Sequence, residues 1–324
     1  MTTLNEIKTP VKEELKEFEN YFNSYMKSNV ALLNIITKYV LKTKGKQMRP
    51  LLVLLSAKLI GKISTSTFHA ASLIELMHTA TLIHDDVVDE SYQRRGFWSV
   101  NALWRNKISV LVGDYLLAKG LLLAVDNSEF ELLRTVSDAV KEMSEGELLQ
   151  IEKARKLDIN EALYFEIIRK KTAMLIAASA VSGAISAGAT KEESKKMKEF
   201  GEALGIAFQI KDDLFDYSPN NKTGKPAGND IREKKITLPL IYALKQATGS
   251  EKKQILRIVG SKEPTAIALK TVVEFVNLKG GFEYAVKRME DFKNKSLEIL
   301  NTFEKNDAQI ALQNFVMYAT NRNK

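Results

Sequence analysis

Two short stretches concentrate carboxylates at a spacing that suits a divalent cation. His84-Asp85-Asp86-Val87-Val88-Asp89 and Lys211-Asp212-Asp213-Leu214-Phe215-Asp216 each carry the pattern Asp-Asp-x-x-Asp. On a helix the first and last Asp of each stretch lie on one face, about one turn apart. Like charges stacked this way destabilise a bare helix, and near a helix C-terminus they also oppose its dipole. A divalent cation offsets both costs. Mg²⁺ fits, because it takes oxygen ligands, keeps several waters and commonly joins one or two carboxylates to substrate phosphates. The glycine and alternating ligands of an EF-hand loop are absent. A single such pattern reads equally well as a solvated acidic helix end. Two copies flanked by apolar residues argue for a metal site.

Phosphates bridged to such ions need further cations, and the chain supplies them near glycines and apolar helices. Gly45-Lys46-Gln47-Met48-Arg49-Pro50 offers Lys46 as a point charge and Arg49 as a planar fork at a loop-to-helix junction. Arg94-Arg95-Gly96 follows the first Asp stretch, Lys171-Thr172 opens a run of small residues, and Lys225 and Lys235 follow the second Asp stretch. His78 stands seven residues before Asp85, on a similar helix face, and suits a donor role toward phosphate.

The elements that must position these groups are helices. Leu15, Phe18, Phe22, Tyr25 and Met26 recur at three- and four-residue intervals, and similar periodicity continues almost to the end. Thr190 with Glu193 forms a capping box, and Gly280 is a helix stop. No alternating run is long enough for a sheet. The expectation is an all-α fold, a single large helical bundle domain of ten or more helices over residues 1–324 with a central cavity. With 45% hydrophobic residues the chain is not disordered, and with no Cys it has no disulfide, cysteine-bound metal or thiol nucleophile. The charge of +8 comes from 48 Lys+Arg against 40 Asp+Glu scattered along helix faces, which argues against nucleic acid. The stretch 172–190 is uncharged but rich in Ala, Gly and Ser, and reads as a buried helix rather than a membrane span. The first residues are polar and lack a signal-like run, so a cytoplasmic location is expected.

In this order the motifs resemble those of the trans-type isoprenyl diphosphate synthases, the polyprenyl synthetase family. Gly113-Asp114-Tyr115-Leu116, Glu145-Gly146-Glu147, Gly205 to Asp216 and Thr237-Leu238-Pro239 add to the likeness. The resemblance implies isopentenyl diphosphate on Lys46, Arg49, His78 and Arg95. It implies the allylic diphosphate on Arg94, Lys171, Thr172, Gln209, Lys225 and Lys235. Asp85, Asp89 and Asp212 would be the main Mg²⁺ ligands, three ions per site, with Asp86, Asp213 and Asp216 in support. It further implies a homodimer, and loose membrane association for product release without a transmembrane segment. Three positions depart from the pattern: Gln47 replaces a basic residue, Phe97-Trp98-Ser99 replaces a proline-threonine stretch, and Lys234 replaces a glycine.

Within the family, product length depends on the helix that carries the first Asp stretch. Thr81 and Met77 lie one and two turns before Asp85, with Ala80 alongside. Short-chain members often place aromatic rings four or five residues before that Asp, and here those positions are Thr81 and Ala80. An open tunnel and a long-chain product, such as a quinone side chain, are expected. The alternatives are a short-chain farnesyl or geranylgeranyl synthase, a terpenoid cyclase, which needs no isopentenyl site, and a non-catalytic partner subunit, which would lack intact Asp motifs.

Overall fold

The computed structural model describes residues 3–43, 45–94, 96–154, 160–217, 229–233, 235–261 and 263–321. Over these the chain forms α1 (Leu4–Lys8), α2 (Lys12–Tyr25), α3 (Ala31–Lys42), α4 (Met48–Ile60), α5 (Thr65–Val88), α6 (Val100–Asp126), α7 (Phe130–Ala154) and α8 (Glu161–Ile168). A π-helical turn, Arg169–Ala173, leads into α9 (Met174–Ser186) and then α10 (Lys191–Phe215). The remaining helices are α11 (Asn229–Arg232), α12 (Leu238–Lys245), α13 (Gly249–Gly260), α14 (Ala266–Leu278), α15 (Gly281–Leu300) and α16 (Asp307–Asn321). The capping box at Thr190 and Glu193 opens α10, and Gly280 separates α14 from α15 at φ 72°. One two-stranded ladder does form, β1 (Gln93–Arg94) with β2 (Phe97–Trp98). Strands of two residues are too short to leave an alternating pattern in the sequence.

The helix read from its small residues is the axis of the bundle. Every residue of α9 from Met174 to Ala184 is buried, and α4, α5, α7 and α10 pack around it. Small side chains let these neighbours approach closely. A Cβ on Gly183 would stand 2.2 Å from the Val53 carbonyl oxygen of α4.

Contacts at its two ends fix the direction of the surrounding helices. Ser186, closing α9, donates to Thr67 Oγ1 at the start of α5 at 2.9 Å. Gly205, late in α10, packs on Ala173 just before α9, and Gly201 packs on Ala177. α5 and α10 are therefore both antiparallel to α9. Their C-terminal ends, with the two Asp stretches, therefore lie at the same end of the bundle, and α10 there packs on the π turn that carries Lys171 and Thr172. A second apolar cluster, including Ile210, Leu214, Leu240, Val272 and Ala285, supports the far side of α10.

α6, rather than α9, is the one helix among the described residues long and apolar enough to cross a membrane. One face of α6 is core, with Val112, Leu116 and Leu123 buried against α5. Its other face leaves Leu103, Leu111, Leu122 and Val125 exposed.

Candidate active site

The connection from α3 to α4, the middle of α5 and the C-terminal helix α16 enclose a cavity of about 450 Å³. Lys46, Gln47, Arg49, His78 and Asp86 line it, with Phe208 of α10 and Tyr318 of α16 opposite. Lys46 Nζ donates to Tyr318 Oη at 2.7 Å and lies 5.3 Å from the centre of that ring. The site thus closes across nearly the whole length of the chain. Gln47 is buried and caps α4 in a left-handed conformation, φ 53° and ψ 41°. An uncharged side chain here avoids the cost of burying a charge.

Lys171, Thr172, Gln209 and Lys235 surround a smaller pocket of about 150 Å³ together with Gln150, Tyr164, Asp213 and Asp230. Its polar groups form a chain. Thr172 Oγ1 donates to Gln209 Oε1 at 2.8 Å, Gln209 Nε2 donates to Asp213 Oδ1 at 2.8 Å, and Tyr164 Oη donates to Asp213 Oδ2 at 2.7 Å. Because the Thr172 proton points at Gln209, the hydroxyl oxygen keeps lone pairs for the pocket. The Asp230 backbone N–H donates to Asp216 Oδ2, and the Lys235 backbone N–H donates to the Asp230 carbonyl at 2.8 Å. Phe208 and Gln209 are consecutive on α10 yet line different pockets. α10 therefore borders both spaces, on neighbouring faces.

The six aspartates separate by exposure. Asp85 and Asp89 are exposed and Asp212 is half-buried, whereas Asp86, Asp213 and Asp216 are buried. Among the described residues no three carboxylate or imidazole groups converge on a single point. Burial is the main cause that raises the Asp213 carboxyl to about 7; the Tyr164 and Gln209 hydrogen bonds oppose the rise, and Asp212 adds to it. Burial, then the nearby Asp213 and Asp216, raise Asp230 to about 8. Burial disfavours the Lys235 ammonium, but Glu233, Asp230 and Glu147 outweigh it and raise its pKa. Burial and mutual repulsion thus leave Asp213 and Asp230 partly protonated near neutral pH, beside the more accessible Asp212.

That crowding has a sign. Groups whose pKa rises on folding contribute stability that is complete at low pH and is lost as pH climbs through the folded values. Without divalent cation, the melting temperature should fall between pH 5.5 and 8.5, the interval spanning about 7 for Asp213 and about 8 for Asp230. Mg²⁺ competes with the protons, so it should raise the melting temperature more at pH 8.5 than at pH 5.5. Equal Mg²⁺ shifts at both pH values, read by scanning fluorimetry, would contradict a cation site at these carboxylates.

Of the residues singled out from the sequence, Arg95 and Lys225 lie outside the described residues, as does the Arg94 side chain; Lys234 lies outside them too. Met77 packs on Gly120 of α6 and His84 packs on Gly113. Ala80 lies between them on this helix-contact face and is fully buried. Thr81 is half-buried on the Asp85 side, its hydroxyl donating to the His78 carbonyl at 2.9 Å. Tyr164, Asp230 and Tyr318 join the site without any local signature in the sequence.

The family model for polyprenyl synthetases matches residues 30–276. The chain belongs to the polyprenyl synthetase family. It is 36% identical over 321 residues to the all-trans-nonaprenyl-diphosphate synthase (geranyl-diphosphate specific) of Rhodobacter capsulatus, covering 98% of this chain and 97% of that one. It is also 36% identical to octaprenyl diphosphate synthase of Escherichia coli K12, over 92% and 93% of the two chains. Among solved structures, a polyprenyl synthase from Caulobacter crescentus CB15, complexed with calcium and isoprenyl diphosphate, superposes with TM-score 0.91 at 32% identity, over 99% and 98% of the two chains. Geranylgeranyl pyrophosphate synthase from Bacteroides thetaiotaomicron superposes with TM-score 0.84 at 39% identity, over 98% and 99% of the chains. This polyprenyl synthetase thus shares the all-α fold of its relatives from end to end.

Proposed function

We propose that this prenyltransferase, one catalytic domain over residues 1–324, condenses isopentenyl diphosphate with an allylic diphosphate and repeats the step to a long-chain all-trans polyprenyl diphosphate. The observation that carries this reading is the pair of cation-lined pockets on neighbouring faces of α10, with an Asp stretch from α5 and another from α10 at the same end of the bundle. Lys46, Arg49 and His78 hold the isopentenyl diphosphate. Lys171, Thr172, Gln209 and Lys235 hold the allylic partner. Asp85, Asp89 and Asp212 would hold Mg²⁺, which supplies Lewis-acid withdrawal of charge from the leaving diphosphate.

The chain's own groups account for the remainder. Lys171 and Lys235 stabilise negative charge as the allylic carbon–oxygen bond breaks. The Thr172 lone pairs face the cationic carbon chain. Ile83, Ile176, Leu204 and Phe208 wall the larger cavity, excluding water while the isopentenyl double bond attacks. The departing diphosphate, retained by the lysines, takes the final proton. Mass spectrometry of products from isopentenyl diphosphate and allylic diphosphates of increasing length, with Mg²⁺ and with EDTA, tests the assignment. Absence of elongation on every primer would overturn it. The 39% identity to a geranylgeranyl synthase favours a second reading, and a product series that stops at geranylgeranyl diphosphate would establish that one instead.

Chain length is best tested at Thr81. Ala80 is fully buried, whereas Thr81 shares a helix face with Asp85 and is only half-buried. Thr81→Phe should shorten the products while the first condensation keeps its rate. An unchanged product distribution would remove Thr81 from the tunnel wall.

The exposed stripe on α6 argues for a second copy of this chain, since an apolar face of this length is costly in water. Light scattering should give a dimer that Leu111→Glu with Leu122→Glu converts to a monomer. The dimer would work in the cytoplasm and release its product at a membrane surface.

A further inference from the structure

Glu145-Gly146-Glu147 has no role in the chemistry above, yet it sits against the π turn. A Cβ on Gly146 would stand 2.8 Å from Lys170 Cβ and 2.9 Å from the Lys171 backbone nitrogen. Glycine is required for α7 to come this near, and the approach sets three acids of α7 against three consecutive cations. Glu142 Oε2 lies 3.4 Å from Arg169 Nη2 and 3.1 Å from Lys170 Nζ. Glu145 Oε2 accepts from Lys170 Nζ at 2.7 Å. Glu147 pairs with Lys171, which also reaches Gln150 Oε1 at 3.4 Å.

The third pair differs from the other two. Arg169 and Lys170 do not line the allylic pocket, so their ion pairs serve the packing of α7 on the π turn. Lys171 does line it. After Glu233 and Asp230, the charge of Glu147 also favours the ammonium of Lys235, which lines the same pocket. A diphosphate that binds Lys171 must therefore draw it from Glu147, while Lys235 keeps its own ion pair with Glu233.

We infer that Glu147 is a positioning residue that sets how tightly the pocket holds diphosphate: its carboxylate yields Lys171 to the incoming allylic diphosphate and reclaims it as inorganic diphosphate leaves. The inference rests on the assignment of Lys171 and Lys235 to the allylic diphosphate. An elongating enzyme must empty this pocket after every condensation. A Lys171 with no competing carboxylate would hold the trianionic or tetra-anionic product more tightly and slow the next cycle.

Glu147→Gln keeps the shape and removes the charge at a side chain that is about one-third exposed, 32%. Inorganic diphosphate with Mg²⁺ should then inhibit several-fold more strongly, and the KM for farnesyl diphosphate should fall several-fold. Turnover at saturating substrate should drop, with a burst in the first cycle, while the KM for isopentenyl diphosphate and the melting temperature stay put. Glu147→Asp should restore wild-type behaviour in part. Glu145→Gln, which breaks the neighbouring pair, should leave diphosphate inhibition unchanged. Lys171→Ala, run alongside, must raise the KM for farnesyl diphosphate; if it does not, the pocket assignment itself fails. If Lys171→Ala raises that KM and Glu147→Gln raises it too, Glu147 only props the lysine in place and the release role is overturned. An equal tightening in Glu145→Gln would overturn it as well, by reducing the effect to net charge.

Discussion

Replacing Asp85 or Asp212 by alanine should lower turnover by about 10²–10³-fold or more while leaving the folded protein as stable as before. Both carboxylates are accessible at the ends of long helices, Asp85 exposed and Asp212 half-buried. Each belongs to a stretch in which like charges repeat one turn apart against the helix dipole. Losing one of them relieves repulsion, and alanine is the better helix former. The melting temperature in EDTA should hold or rise by a degree or two. Loss of rate together with unchanged or improved stability separates a functional carboxylate from a structural one. Near-normal turnover of both purified variants at saturating Mg²⁺ would sink the metal-site reading.

The largest effect on stability should come from Gly183→Ala. The added Cβ would meet the Val53 carbonyl oxygen at 2.2 Å and the Ser56 Cβ at 2.9 Å. The first obstacle is main chain in the middle of α4 and cannot swing away. α4 and α9 must separate, and α9 is buried on all sides, so the strain spreads to its other neighbours. A cost at or above the usual overpacking range of about 1–3 kcal/mol follows, which lowers the melting temperature by several degrees or abolishes soluble expression. Gly249→Ala is the control: nothing lies within 4 Å of its added Cβ. It should be neutral or slightly stabilising, by about 0.4–1 kcal/mol at most. A Gly183→Ala protein that melts with the wild type would mean that α4 and α9 do not touch as described.

What was legible in the sequence was local. The Asp spacing, the small residues of α9 and the Thr190–Glu193 box each fit within a few turns of helix and reappear in the structure. The turns after Asp126 and after Leu300 left no trace, because they use Asn, Ser and Thr instead of Gly or Pro. The π turn has no composition that distinguishes it from an α-helix. The partners recruited from afar were equally silent. Tyr318 reaches Lys46 across 272 positions, and Tyr164 reaches Asp213 across 49. Periodicity places Ala80 on a face of its helix; only the fold shows that α6 meets that face.

The burial of α9 bears on how the chain is made. α4, α5 and α7 leave the ribosome before it, and α10 leaves after it. At about 5–20 residues per second, the earlier helices wait for seconds with an apolar groove open along their inner side. The groove keeps its native filling only once α9 emerges, and α10 packs on it later still. The first half of the chain should therefore be a chaperone client during translation, and a chain truncated before Met174 should aggregate where one truncated after Tyr217 begins to protect its core.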